Sequence, residues 1–242
     1  MFPNLGGVRP YRPGAFWFAV LLAVIVWLGG CGAWSDEQRT QREDGLVEVL
    51  VLRVIDGDTM LIQMPDRTEE RLRLIGVNTP EVSDPPEPYG AEAVAYAVGH
   101  LEGRTVFLET DVETRDRHGR LLGYLWTKNP DEWPPEENTI RAHLFNARLL
   151  LDGYAQLMTV PPNVKYVEFF RVFQQEAREE GRGLWSLPVD EEAYYIGNAN
   201  TMRFHRPDCP AVASIAPYNR VHLETREAAF EAAYEPCRTC SP

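Results

Sequence analysis

Between residues 54 and 81 the chain reads VIDGDT, then a polar gap, then RLRLIGVNTPE. Asp58, Arg73, Asn78, Thr79 and Glu81 fall at the ends of three apolar, β-branched runs, where polar groups are presented rather than packed. Further along, RDRHGR contributes Arg120. This combination suits cleavage of a phosphodiester. That reaction adds charge to an already anionic phosphorus centre, so a site must neutralise the equatorial oxygens and aim a water in line. Two arginines provide planar forks that bind phosphate oxygens bidentately, where lysine would give a point charge. A hard divalent cation would find oxygens on Asp58, the Asn78 side chain and the Thr79 carbonyl. Glu81 offers a carboxylate to orient or deprotonate water. Each motif alone is also an ordinary turn, because Asp-Gly-Asp and Asn-Thr-Pro are common turn chemistry.

A second group lies near the C terminus, where His205 and Cys209 are followed after a long gap by Cys237 and Cys240. Three thiolates and an imidazole make a closed tetrahedral zinc set, and each short spacing lets one pair hold the ion from a single knuckle. The alternative is a disulfide with one free thiol. His222 is a rival ligand, but in NRVHLE it reads as a strand residue.

These groups need elements to position them. The chain has 242 residues, 44% hydrophobic and 25% charged, which is enough apolar material for a real core. Its formal charge of -12 argues against loose polyanion binding over the whole surface, so any nucleic-acid contact must be local or metal-assisted. Residues 46–55 and 59–64 read as a hairpin whose tight turn, Asp56-Gly57-Asp58, needs the glycine. Residues 71–77, 104–109 and 121–126 make three more strands, and Pro80 ends the pairing after the third run. Helices are expected over 91–101, over 139–151 with Thr139 as N-cap, and over 166–180. Five short strands with three interleaved helices suit a mainly β, α+β domain: a small closed barrel with helices outside. Residues 188–193 read as a linker, and 194–242 as a module too small to stand without a staple.

The order Asp58, Arg73, Asn78-Thr79-Pro80-Glu81, His118-Gly119-Arg120, Gly183-Leu184-Trp185 resembles the staphylococcal nuclease (thermonuclease) family throughout residues 46–187. The resemblance implies a five-stranded OB-fold barrel and cleavage of DNA and RNA. It makes Arg73 and Arg120 the phosphate clamps, Glu81 the general base, and Asp58, Asn78 and the Thr79 backbone the holders of Ca²⁺. Three departures stand out. Asn78 occupies a place where the family's archetype has aspartate. The archetype's two nucleotide-stacking tyrosines fall near Thr159 and Pro161, with Tyr154 or Tyr166 as substitutes. The archetype is basic and this chain acidic. These departures sustain another reading, a catalytically inactive OB-fold module that binds nucleic acid or a surface partner. The segment TMRFHRPDCP…NRVHLETREAAFEAAYEPCRTC resembles the zinc-binding domain of the Ada DNA-repair protein, with His205 where that family has a cysteine, so zinc is read as structural and methyl transfer is not carried over.

The first thirty residues have a basic start (Arg9, Arg12), an apolar run and Leu-Gly-Gly before Cys31. A run this short fits a signal peptide better than a membrane span. The motif resembles a bacterial lipobox, which implies cleavage before Cys31, a lipid on its thiol, and an exported protein held to a membrane. Removing residues 1–30 takes two arginines and no acids, moving the charge from -12 to -14. Residues 31–45 read as a polar tether.

Overall fold

The computed structural model describes residues 45–83 and 85–242; the expected signal segment, Cys31 and nearly all of the tether lie outside the described residues. Alternation dictates the first elements. Strand β1 (Val47–Asp56) buries Val49, Val51 and Val54, while β2 (Thr59–Gln63) buries Met60 and Ile62, and β3 (Glu69–Leu74) buries Leu72 and Leu74. A short β4 (Gly76–Asn78) and helix α1 (Gly90–Leu101) follow, then β5 (Thr105–Glu109) and β6 (Leu121–Trp126). The strands close a barrel in the order β1-β2-β3-β6-β5, antiparallel except where β3 meets β6. Register shifts between Val51 and Arg53 and between Val54 and Asp56 bend β1, which therefore serves both β2 and β5. This is the five-stranded barrel that the resemblance implies.

Outside it lie α2 (Glu137–His143), α3 (Phe145–Leu151), β7 (Gln156–Met158) and α4 (Val167–Glu179). Two expectations are corrected here. The run 71–77 divides, because Gly76 takes a left-handed φ of 78° and a Cβ there would lie 2.6 Å from the Phe170 ring. The chain thus leaves the barrel at Ile75, and β4 pairs with β7 instead. The expected single helix over 139–151 starts earlier, with Glu136 as N-cap, and breaks at Leu144. Leu144 is drawn into an extended conformation and bridges Trp126, while the buried Asn146 amide accepts Leu125 N–H at 3.0 Å and donates to Ile75 O at 2.8 Å. Long-range pairing outweighs local helix propensity there. On α4, Gln174 accepts Leu157 N–H at 2.6 Å, which ties β7, and through it the Asn78 strand, to the helix.

The C-terminal module contains β8 (Tyr195–Asn198), β9 (Arg203–His205), β10 (Arg220–Leu223), α5 (Arg226–Glu231) and β11 (Glu235–Pro236). Its four-stranded sheet, ordered β10-β8-β9-β11, covers a small core of Tyr195, Phe204, Leu223, Ala229, Phe230 and Tyr234. The module packs on the nuclease-like domain: Trp185 meets Phe230 edge-on at 5.4 Å, the Arg178 guanidinium lies 4.2 Å from the same ring, and Thr159 N–H donates to Glu235 Oε1 at 2.5 Å. Among the described residues no helix is long and apolar enough to cross a membrane.

Candidate active site and metal centre

The turn between β1 and β2 shapes the first site. Gly57 is required for space: a Cβ there would come within 2.8 Å of the Thr79 side chain. The turn and the Asn78-Thr79 exit of β4 are thereby pressed together. Asp58, 5% exposed, fastens them, since its Oδ2 accepts Thr79 N–H at 3.0 Å and its Oδ1 accepts the Thr59 hydroxyl at 3.1 Å.

Arg73 is buried beside it. Its Nη2 pairs with Asp58 Oδ2 at 2.9 Å and donates to Asn78 Oδ1 at 3.2 Å. Its Nη1 donates to Leu74 O and Val77 O, both at 2.9 Å. Each Nη therefore has two acceptors, and the guanidinium holds the β3–β4 corner as well as supplying positive charge. Burial lowers its proton affinity, the Asp58 carboxylate opposes that, and the charges of Arg120 and Arg238 add to the lowering. Arg73 thus feels the charges of both Arg120 and Arg238.

Arg120 closes a turn in which Gly119 takes a φ of 79°. Asp116 organises that turn by accepting the N–H groups of His118 and Arg120 at 2.9 and 3.0 Å through Oδ1. Its Oδ2 holds Arg120 Nε and Nη2, both at 2.7 Å. The carboxylate thus fixes one edge of the fork.

Glu81 is exposed at the end of the Asn-Thr-Pro-Glu turn. Sequence reasoning missed its neighbour Asp56, whose carboxyl is pushed up to about 6 by burial, by the Asp58 and Glu81 charges, and by a hydrogen bond with Glu81, against the pull of Gly57 N–H. The doubled acid of Asp-Gly-Asp was the available signal. Asp56, Asp58 and Glu81 crowd like charges, and the buried Thr79 Oγ1 has no hydrogen-bond partner. Crowded carboxylates and an unsatisfied hydroxyl are hard oxygens of the kind a divalent cation takes, and the residues fit one. Asn78 Oδ1, by contrast, receives Nη2 of Arg73 and Nη2 of Arg238, the latter at 2.9 Å.

Neither tyrosine suggested as a stacking platform is free for that work. Tyr154 stacks on Tyr96 at 4.1 Å and meets Tyr89 at a tilt at 5.5 Å, while Tyr166 is 3% exposed and donates to buried Glu109.

In the C-terminal module the ligand atoms of His205, Cys209, Cys237 and Cys240 all lie within 4.8 Å of one another. The three cysteines are free thiols. His205 Nδ1 is buried without a partner, and burial with the Arg203 charge favours the neutral ring that a metal requires. Burial pushes the Cys240 thiol up to about 12, and its thiol neighbours add to the rise. At Cys237 burial is outweighed by the N–H groups of Thr239 and Cys240, which draw the thiol down. The donor set fits zinc. Arg206 N–H and Thr239 N–H, each 3.4 Å from a ligand sulfur, supply the outer hydrogen bonds such sites use. His222 stands apart on β10, exposed and stacked on Tyr194 at 5.0 Å.

Comparison with known proteins follows the same division. Residues 71–187 match the profile described as staphylococcal nuclease homologue, and residues 188–242 that of the metal binding domain of Ada. The chain is 34% identical over 170 residues to a thermonuclease of Staphylococcus intermedius, covering 69% of this chain and 91% of that protein. It is 36% identical over 139 residues to a thermonuclease of Staphylococcus hyicus, covering 56% and 74%. With endonuclease YncB of Bacillus subtilis it shares 30% over 152 residues, covering 61% and 65%.

Proposed function

Because the chain belongs to the staphylococcal nuclease family and carries a zinc-binding domain of the Ada type, we propose that it is a calcium-dependent nuclease that hydrolyses phosphodiester bonds of DNA or RNA. One observation carries the reading. Asp58 and Arg73 form a buried pair at 2.9 Å, and the Arg120 charge acts on that same Arg73 although the turn bearing it is remote in sequence.

In this reading Asp58, the Thr79 oxygens and Asp56 hold the cation, with Asn78 at the edge of the set. A bound calcium ion supplies Lewis-acid charge to a phosphoryl oxygen. The remaining work falls to the protein. Arg120, held along one edge by Asp116, turns its other edge to the equatorial oxygens. Arg73 contributes fixed, desolvated positive charge from beneath, where electrostatic stabilisation is strongest. Glu81 receives the proton of the attacking water. The zinc in the C-terminal module is structural, since all four of its positions are protein ligands.

The full-length protein should shorten DNA in calcium, and Arg120→Ala, Arg73→Ala and Glu81→Gln should each lower the rate by roughly 10²–10⁴. Unchanged rates in all three would overturn the proposal. The occupation of Asn78 Oδ1 by two guanidiniums favours a second reading, an inactive nucleic-acid-binding module. Binding of DNA without shortening, with and without calcium, would select it. We further propose export and lipid anchoring through Cys31, on the order of charge, apolar run and Leu-Gly-Gly-Cys in the sequence.

A further inference from the structure

The cleft containing Arg73 and Arg120 encloses about 500 Å³, and the nuclease domain does not build it alone. Arg203 and Arg238 of the zinc module line it as well, together with Arg117 and His118. Its lining carries five arginines against two carboxylates, Glu113 and Asp116, within a chain of formal charge -12. Arg73 is paired with Asp58 and Arg120 with Asp116. The described residues offer no ion-pair partner to Arg117, Arg203 or Arg238. Arg203 feels the neighbouring Glu235 carboxylate, but Arg117 and Arg238 bring positive charge without a paired acid to one cleft, where a polyanion would be focused against an otherwise repelling surface.

Arg238 is the best placed of these. It lies between the ligands Cys237 and Cys240, on a loop whose backbone is fixed by Cys237 N–H to Phe204 O and Ser241 N–H to Cys237 O, both at 2.9 Å. From there its Nη2 reaches Asn78 Oδ1 at 2.9 Å, the oxygen that also receives Arg73 Nη2. One neutral amide thus holds two guanidiniums side by side. An aspartate at position 78 would cancel one of the two charges; asparagine orients both and cancels neither. Arg73 already has its countercharge in Asp58, so the guanidinium of Arg238, oriented by the same neutral amide, is the one left to meet an anion.

We propose that Arg238, supported by Arg203, binds a second backbone phosphate of the nucleic acid beside the scissile one, so that the zinc knuckle forms part of the substrate-binding cleft. This rests on the nuclease reading. Zinc acts by holding the loop that carries Arg238, and no chemistry passes through the ion.

The test uses the full-length protein with Glu81→Gln as parent, a labelled single-stranded DNA oligonucleotide, and calcium-free buffer with zinc retained. Binding is followed by fluorescence anisotropy against salt concentration. Arg238→Ala should weaken binding roughly tenfold and lower the slope of log K against log salt by about 0.7, the contribution of one phosphate contact on a single strand. Arg238→Lys should keep the slope, and Arg203→Ala, outside the zinc ligands, should also lower it. Bound zinc should stay unchanged in all three. If the parent binds DNA and both alanine variants match it in affinity and slope, the phosphate role of Arg238 is overturned while the nuclease reading stands. If the parent binds DNA neither in this buffer nor with calcium added, both fall.

Discussion

Asp56 offers a test of the carboxylate corner that does not depend on measuring cleavage. Its carboxyl sits at about 6 against an ordinary 3.8, so the folded chain holds that proton more tightly than the unfolded chain does. The sign follows from linkage: stability from this group is fully present below about pH 4 and is lost as pH rises through about 6. A rise from 3.8 to about 6 corresponds to ~3 kcal/mol, which half-burial and screening reduce to roughly 1.5 kcal/mol. Asp56→Asn keeps the shape and the oxygen that accepts Gly57 N–H at 2.7 Å, and removes the charge. In calcium-free buffer at pH 8, with zinc retained, the variant should melt about 3–6 °C above the parent. Below pH 4 the two should coincide. Millimolar calcium should stabilise the parent more than the variant, because a bound cation stabilises only a chain that keeps its ligands. An equal or lower melting temperature for Asp56→Asn at pH 8 without calcium would refute the idea that burial and like charge make the ionised Asp56 carboxylate costly in the folded protein.

The zinc module should contain one zinc per chain, and His205→Ala or Cys237→Ser should abolish that binding and expose residues 194–242 to protease while the barrel resists, because the module's core is split into two small clusters, one of them gathered around the zinc ligands. Unchanged protease resistance in a zinc-free variant would show that the staple is unnecessary. The proposed lipid anchor predicts that the parent partitions with membranes and that Cys31→Ser does not; equal partitioning would count against lipidation at that thiol.

The barrel strands were legible because each is a short, local run of apolar or alternating residues, and the zinc set because His205 and Cys209, like Cys237 and Cys240, are close neighbours in the chain. Helices α1 and α4 followed from composition and periodicity in the same local way. The misread elements depend on distant partners. Phe170 turns the chain at Gly76, and Trp126 pulls Leu144 out of its helix. Gly57 was singled out for its backbone freedom, yet it is the Thr79 side chain that leaves no room for a Cβ.

The sequence by itself determined the residue types available for phosphate chemistry, their order, and the local frames that carry them. Tertiary structure decided which of those groups share an environment: the burial and like-charge crowding at Asp56, the enclosure of Arg73, and the meeting of Arg238 with Asn78 across 160 residues. The physical reason is range. Periodicity and turn chemistry act over a few residues, whereas desolvation and charge coupling depend on distances in space that only the closed fold establishes.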